Sequence, residues 1–164
     1  MRETALMLLS MVTAVAFSSV DPATLKQSQD FVKQAAIASR YQIEAAELAR
    51  GRGNEITRRF AMRTRDEQVR TQRELADLAR SQGLAVPSKV DAEREAQLVR
   101  LGTMEGEDFD REFARQAVAS HQSAVTLFQG ESSGGRDAEL RSFAIDTLPV
   151  LQGALQRAED LPKE

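Results

Sequence analysis

Apolar residues recur at intervals of three and four positions along four long stretches of this chain, which is the spacing of one face of an α-helix. Nowhere does the sequence alternate apolar and polar residues in the way that a half-buried β-strand requires. Aromatic residues make up only 5% of the 164 residues, and alanine is abundant. This composition suits closely packed helices better than a β-sandwich. The sequence therefore predicts an all-α domain.

Capping and helix-breaking residues divide the chain into four long helices and one short helix. Their predicted bounds are about residues 22–51, 54–83, 88–102, 108–129 and 137–160. Ser88 and Asp91 have the spacing of a capping box for the short helix. Residues 130–137 are predicted as a loop, and Pro149 as a kink in the last helix. This order predicts a four-helix bundle with one extra short helix.

The predicted inward faces of the four long helices are not purely apolar. These faces run from Phe31 to Ala49, from Ile56 to Leu78, from Phe113 to Phe128 and from Leu140 to Ala158. Three of them carry one large polar residue near the middle: Gln42, Gln68 and His121. Burying an amide or an imidazole without partners costs about 1 to 3 kcal/mol. The three residues therefore predict a shared polar interior.

The N-terminal stretch predicts a signal for export. Arg2 is followed by an uncharged, mostly apolar run from Thr4 to Val20, and Ala16-Phe17-Ser18 fits a small-x-small cleavage site. We expect residues 1–18 to be a signal peptide and residues 19–164 to be the helical bundle domain. Without cleavage, the same run would be an anchor that associates the protein with a membrane. A plain N-terminal core helix is the third interpretation.

Charge and cysteine content exclude several classes of partner and chemistry. The net charge is -3 and the chain has no cysteine, so it has no thiol nucleophile and no thiolate metal site. The helix that follows Asn54 carries a stripe of arginines: Arg59, Arg63, Arg70 and Arg73. Asp66 and Asp77 share that stripe, which indicates a solvated face with ion pairs. We expect no binding to nucleic acid.

Four stretches, in this order, resemble a known bacterial family. They are DFVKQAAIASRYQIEAAELA, RRFAMRTRDEQVRTQRELADLA, FDREFARQAVASHQSAVTLF and RSFAIDTLPVLQGALQRA. Together they cover about residues 30–158 and resemble the domain of unknown function 4142 family. The resemblance implies an exported protein, periplasmic or otherwise in the cell envelope, with a ferritin-like helical bundle.

The resemblance also implies a set of candidate site positions. The family pattern usually has a glutamate in the first helix and histidines in the second, fourth and last helices. The matching residues of this chain are Gln42, Gln68, His121 and Ala154. One of the four potential ligands is retained, and the chain has no Glu-x-x-His motif of the kind that supplies di-metal centres. We expect a polar core or degenerate site without a metal.

The alternative is a divergent di-metal oxidase or metal store that holds iron, manganese or zinc. Its ligands would be His121 with carboxylates from neighbouring faces: Glu44, Glu47 and Asp146. No other catalytic constellation is present in the sequence, since Ser120 and Ser123 flank His121 without the glycines of a nucleophile elbow. The GESSGG segment lacks the Lys-Ser/Thr pair of a phosphate loop. The sequence therefore predicts a non-catalytic binding or stress-related protein, and no motif specifies its partner or oligomeric state.

Overall fold

The computed structural model describes residues 21–162. This part of the chain forms five α-helices and no strand: α1 (Pro22–Arg52), α2 (Glu55–Ser81), α3 (Ala92–Gly102), α4 (Gly106–Gly134) and α5 (Ala138–Glu159). The predictions of an all-α fold and of four long helices with one short helix are confirmed. The predicted signal peptide or anchor lies outside the described residues. Within residues 21–162, no helix is long and apolar enough to cross a membrane.

Side-chain caps explain where most of the helices begin. The carboxylate of Asp21 accepts a hydrogen bond from the Thr24 amide, and Asn54 and Asp137 cap α2 and α5 in the same way. The predicted capping box at Ser88 is wrong. The N-cap of α3 is Asp91, whose side chain accepts from the Arg94 amide at 2.9 Å. Asp91 is therefore the N-cap residue of α3 and not the fourth residue of a capping box that begins at Ser88.

The loop predicted over residues 130–137 is also wrong for most of its length. Helix α4 continues to Gly134, which leaves residues 135–137 as the connection to α5. The hydroxyls of Ser132 and Ser133 donate to the Gln129 carbonyl at 2.9 and 2.8 Å. Because these hydroxyls are satisfied by the preceding turn, the serines extend the helix and do not end it.

The helices form two antiparallel hairpins joined by one crossover. Helix α1 packs on α2, and α4 packs on α5, while α3 lies in the crossover against α1 and α4. Gln27, near the start of α1, donates to the carbonyl of Gly134 at the end of α4. Arg52, at the end of α1, donates to the Met104 carbonyl just before α4. The two helices are therefore antiparallel, and the crossover between the hairpins runs along the length of the bundle.

The bundle contains two apolar cores, one near each end. The first core includes Phe31, Val32, Leu75, Phe128, Leu140 and Leu151, and the second includes Phe60, Leu101, Phe109, Phe113, Ala158 and Leu161. Most of the predicted inward faces are buried, but Ile56 is 47% exposed. Ile56 precedes the first buried turn of α2, so its place in the predicted core is wrong. The residues between the two cores form the candidate site.

A matched pair of glycines at the end of α1 tests the packing of the first hairpin. A Cβ atom at Gly53 would lie 2.9 Å from the Ala49 carbonyl oxygen and 2.9 Å from Thr57 Cβ, whereas Gly51 has nothing within 4 Å. We expect Gly53→Ala to lower the free energy of unfolding by about 1 to 3 kcal/mol because of overpacking. Gly51→Ala should raise it by about 0.5 to 1 kcal/mol. Urea unfolding measures both, and changes of the same sign would contradict the prediction.

Candidate functional site

A layer of buried polar side chains separates the two apolar cores. On α1 it lies between Ala36 and Ala45, which belong to different cores, and on α4 it lies between Ala117 and Ala124. The buried polar residues of this layer are Ser39, Gln42, Thr64, Glu67, Gln68, Thr71 and His121. All four long helices meet at this level, because Ala154 of α5 is also buried here. Gln42, Gln68 and His121, the three residues of the predicted polar interior, are all buried in this layer.

His121 is held in one orientation inside the layer. Its side chain is 1% exposed, and Nδ1 lies 2.8 Å from the Ala117 carbonyl oxygen. Since a carbonyl can only accept, Nδ1 carries the proton and Nε2 of the neutral ring is an acceptor. The ring packs edge-on to Phe60 with 5.8 Å between centroids. Burial lowers the pKa of His121 below its ordinary value, and Arg157 adds to this effect while Glu67 opposes it.

Three neutral side chains of the layer line one small void. Gln42, Thr64 and His121 share this void of about 10 Å³ with aromatic neighbours that include Phe60 and Phe113. Both polar atoms of the Gln42 amide, Oγ1 of Thr64 and Nε2 of His121 are buried and have no hydrogen-bond partner among the described residues. The void has room for about one water molecule. Such a concentration of unpaired polar atoms needs a physical explanation.

Glu67 is the carboxylate of the layer, and two arginines neutralise it. Its Oε2 accepts from Arg157 Nη2 at 2.5 Å, and its Oε1 accepts from Arg63 Nε at 2.9 Å. The Glu67 side chain is only 10% exposed and that of Arg157 is 27% exposed. A Cβ atom at Gly153 would lie 3.3 Å from Arg157 Nη1, so the glycine leaves room for the guanidinium. The pair joins α2 to α5 beside His121.

A second polar chain crosses the opposite side of the bundle. The Tyr41 hydroxyl donates to Gln116 Oε1 at 2.6 Å, and Gln116 Nε2 donates to Glu112 Oε1 at 2.8 Å. Burial raises the pKa of Tyr41 to about 12, although Arg115 and Arg94 oppose the shift. Hydrogen bonding from Arg115 lowers the pKa of Glu112 to about 2. These hydrogen bonds and the raised pKa keep Tyr41 as a neutral hydrogen-bond donor.

An outer pocket lies between α1, α3 and α4, on the solvent side of Tyr41. Its volume is about 270 Å³. It is lined by Ala38, Tyr41, Glu93, Arg94, Gln97, Arg115, Gln116, Ala119, Ser120 and Ser123. Tyr41, Gln116 and Ser120 also line the central void, so these residues form the wall between the two spaces.

The structure brings together some of the predicted site residues. Gln42 and His121 line the same void. Gln68 lies one turn from Thr64 on α2, and its main-chain carbonyl accepts from the Ser39 hydroxyl at 3.2 Å. Ala154 is 1% exposed at the same level of α5. The side chains of Gln68 and Ala154 do not line the void.

The carboxylates of the alternative metal site lie elsewhere. Glu44 pairs with Arg40 at 3.5 Å, Glu47 pairs with Arg50 and Arg65, and Asp146 is exposed. Within residues 21–162, no group of three or more histidine, aspartate or glutamate side chains is arranged to hold a metal. The site offers one imidazole nitrogen, one amide and one hydroxyl, which carry no charge to offset the dehydration of a cation. These residues do not fit an iron, manganese or zinc centre.

The arginine stripe of α2 lies on the outside of the bundle. Arg59 pairs with Glu55 at 3.3 Å and Arg63 pairs with Glu67, and both arginines are largely exposed. The aspartates of the stripe pair with other arginines: Asp66 with Arg65 and Asp77 with Arg80. All four arginines of the stripe are exposed, and ion pairs hold two of them, Arg59 and Arg63.

Sequence reasoning misses the residues that close the layer on either side. Tyr41, Gln116 and Arg157 all depend on partners far along the chain, since Arg157 and Glu67 are 90 residues apart. A signal for Tyr41 exists, because the single tyrosine stands next to Gln42. Gln116 precedes Ala117 on the predicted inward face of α4, and a polar residue at the edge of a buried face is a candidate for bonding across helices.

Taken together, the fold and the site define a class of protein: an all-α bundle of two helical hairpins with a largely uncharged polar layer at its centre. The sequence model of a domain of unknown function (DUF4142) matches residues 14–161. The chain belongs to that family.

The fold is also similar to that of a solved structure. A DUF305 fragment from Deinococcus radiodurans has a TM-score of 0.72 and 19% sequence identity, over 82% of this chain and 93% of that chain. At this identity the likeness concerns the fold alone. No match is found among curated proteins.

The lowered pKa of His121 predicts a pH dependence of stability. The unfolded chain, with a histidine pKa near 6.5, binds a proton more readily than the folded chain. We therefore expect the free energy of unfolding to fall as the pH is lowered from about 7 through 6.5 and below, until the folded-state pKa is reached. Glu112 contributes to acid instability only at lower pH, because the stability from its lowered pKa is lost between its ordinary pKa of 4.5 and its folded pKa of about 2.

Urea unfolding at several pH values between about 7 and 5 measures this effect. The His121→Gln variant serves as the reference, since all other titrating groups are common to the two proteins. The difference in free energy of unfolding between wild type and variant should change with pH in favour of the variant on acidification. A difference that is constant over this range would rule out His121 as the source.

Proposed function

We propose that this chain is an exported, non-catalytic helical-bundle protein whose central polar layer is a degenerate metal site that serves for binding through neutral groups. One observation carries the proposal: the groups around His121 Nε2 are an amide and a hydroxyl, and the nearby carboxylate of Glu67 is already neutralised by Arg63 and Arg157. The ferritin-like connectivity of the bundle is consistent with an origin as a metal-binding scaffold.

The charges of the layer argue against a tightly bound cation. A metal near His121 Nε2 would have to compete with Arg157, which donates to Glu67 at 2.5 Å. Removing Glu67 from Arg157 to bind a metal would leave a partly buried guanidinium without its partner, which is strongly unfavourable. A lone imidazole with neutral oxygen ligands does not compensate for this loss.

The hydrogen bonds around His121 argue against nucleophilic catalysis. A serine nucleophile needs its hydroxyl within hydrogen-bond reach of the imidazole base. The Ser120 hydroxyl instead donates to the Ala117 carbonyl at 3.1 Å, and the Ser123 hydroxyl donates to the Ala119 carbonyl at 3.0 Å. Both serines are therefore engaged by the preceding turn of α4.

Metal analysis tests the non-metal part of the proposal. The full chain, expressed with supplements of iron, manganese and zinc and purified without chelators, should contain only substoichiometric metal by inductively coupled plasma mass spectrometry. His121→Gln and the exposed control Gln122→Leu should give the same result as wild type. Stoichiometric metal that is lost in His121→Gln and kept in Gln122→Leu would overturn the proposal.

Export is tested separately, in the native host. The proposal rests on the uncharged run from Thr4 to Val20 and on the cleavage site Ala16-Phe17-Ser18. We expect the protein in the periplasmic or envelope fraction, with a mature mass that begins near Ser19. Membrane-bound protein of full mass would support the anchor interpretation of the same run. Full-length protein in the cytosolic fraction would show that export is wrong.

A further inference from the structure

We propose that the outer pocket and the central void together form one binding site for a small uncharged molecule that both donates and accepts hydrogen bonds, of the chemical class of primary carboxamides. The inference rests on the proposed function, because it assumes that no metal occupies the layer. It adds the class of ligand, the route of entry and the residues that select it.

The inner end of this site offers complementary hydrogen-bonding atoms that no residue in the described part of the chain, 21–162, satisfies. His121 Nε2 and Gln42 Oε1 are acceptors, Gln42 Nε2 is a donor, and Thr64 Oγ1 can act as either. All three side chains are at least nine-tenths buried, at 1%, 4% and 3% exposure. A carboxamide group, which carries donors and an acceptor, matches this set. A single water molecule matches it too, but leaves the outer pocket unexplained.

The outer end of the site is polar, and both of its arginines are paired with carboxylates. Arg94 pairs with Asp91 at 2.5 Å, and Arg115 pairs with Glu112 at 2.6 Å. With both guanidinium groups paired, the pocket has no surplus of positive charge to favour an anion.

Gln97 supplies a neutral amide along the wall of the outer pocket. Ser120 and Ser123 donate their hydroxyl protons to main-chain carbonyls of α4, so they add only acceptor oxygens. Glu93 adds an exposed carboxylate to the lining, so the outer pocket does not attract an anion. The void behind it is lined by neutral residues only, so a cation buried there would have no charged partner.

The size of the two spaces limits the ligand. An outer pocket of about 270 Å³ is below the usual range for drug-sized ligands. The void behind it, of about 10 Å³, accepts no more than the end of a small molecule unless the wall moves. These spaces therefore favour a molecule smaller than a typical drug, with one narrow polar end.

One hydrogen bond links two of the side chains in the wall between the two spaces. Tyr41 is 2% exposed and Gln116 is 6% exposed, and a single hydrogen bond of 2.6 Å joins the two side chains. Rotation of the Gln116 side chain, with its amide still available to Glu112, would connect the pocket to the void. The Tyr41–Gln116 hydrogen bond therefore closes the passage between the outer pocket and the void, and Gln116 positions the Tyr41 hydroxyl.

Three molecules of nearly the same shape but different charge test the ligand class. Acetamide is neutral, acetate is an anion and acetamidinium is a cation. Each is titrated into the metal-free full chain near pH 7.5, and binding is followed by the ¹⁵N signals of the histidine ring and the glutamine side-chain amides. The ring signal is unambiguous because the chain has a single histidine.

We expect acetamide to shift the His121 and Gln42 signals in a saturable way, with a dissociation constant of about 1 to 10 mM, as is reasonable for four heavy atoms. Acetate and acetamidinium should bind at least about tenfold more weakly because of the cost of burying a charge. Equal shifts with the charged molecules, or no saturable shift with acetamide, would overturn the proposal.

Conservative variants locate the site. Gln42→Leu and the isosteric Thr64→Val each remove unpaired buried polar atoms, so both should stay folded and both should weaken acetamide binding at least about tenfold. Tyr41→Phe removes the closure and should speed the exchange of acetamide while leaving a measurable site. The control Gln122→Leu, on the exposed face of α4, should bind as wild type does. Unchanged binding in both Gln42→Leu and Thr64→Val would show that the inner end is not used.

Failure of this proposal is distinguishable from failure of the proposed function. Stoichiometric metal in the purified protein would contradict the proposed function, whatever acetamide does. Protein that is free of metal and does not bind acetamide would contradict the ligand class alone. Adding zinc to the titrated sample gives a further check, because zinc should not displace acetamide from a neutral site.

Discussion

Replacement of Glu67 by glutamine lowers the free energy of unfolding by about 2 to 4 kcal/mol, which is the first large effect that we expect. The carboxylate accepts from Arg157 at 2.5 Å and from Arg63 at 2.9 Å. Arg63 is largely exposed, and water can replace its partner. Arg157 is only 27% exposed, so loss of the carboxylate leaves a partly desolvated guanidinium without charge compensation.

A double-mutant cycle separates the cost of breaking the pair from the value of having it. Replacing both partners by apolar residues, as Glu67→Leu with Arg157→Met, removes the isolated charge as well as the pair. We expect the double variant to recover most of the stability that is lost in Glu67→Leu alone. Urea unfolding of the four proteins of the cycle measures the coupling.

An exposed ion pair on the same helix is the control for this cycle. Glu55 pairs with Arg59 at 3.3 Å, and both side chains are at least 70% exposed. Glu55→Gln should change the free energy of unfolding by no more than about 0.5 kcal/mol. If Glu67→Gln is equally mild, the pair contributes nothing beyond a surface interaction, and the account of a charge-compensated layer is wrong.

The starts of α1, α2 and α5 are predicted well from the sequence because the residues that cap them act locally. The helix caps at Asp21, Asn54 and Asp137 bond to amides within three residues of themselves. Their effect can therefore be predicted from the local sequence without knowledge of the rest of the fold. The misplaced loop has the opposite cause. The serines after Gly130 favour a turn by composition, but their hydroxyls bond within the helix once α4 has formed.

Helical periodicity in the sequence predicts only part of the candidate site. Helical spacing places Gln42 and His121 on inward faces, and the structure gives them a common void. Periodicity does not predict which turns of one hairpin lie opposite which turns of the other. That alignment along the bundle axis is set by the crossover through α3. Long side chains add a second difficulty, since Arg157 crosses from α5 to reach Glu67 on α2.

The second large effect on stability that we expect concerns α3, the helix in the crossover, which is anchored by a single buried residue. Leu101 is the one buried residue of α3, at 0% exposure, and it belongs to the second apolar core. We expect Leu101→Ala to lower the free energy of unfolding by about 3 kcal/mol, from lost burial and the cavity that remains. Val99→Ala, two residues away at a side chain that is 65% exposed, should change it by less than about 0.5 kcal/mol.

The consequence of this substitution reaches beyond global stability, because α3 carries part of the wall of the outer pocket. Arg94 and Gln97 of this helix line that pocket, so loosening its anchor should expose them. Native-state hydrogen exchange of the wild type and of Leu101→Ala distinguishes local from global loosening. We expect α3 amides to lose more protection than those of α1 and α4, the helices it packs against. Uniform loss over all helices would mean that α3 is an integral part of the bundle and not a separately anchored cover.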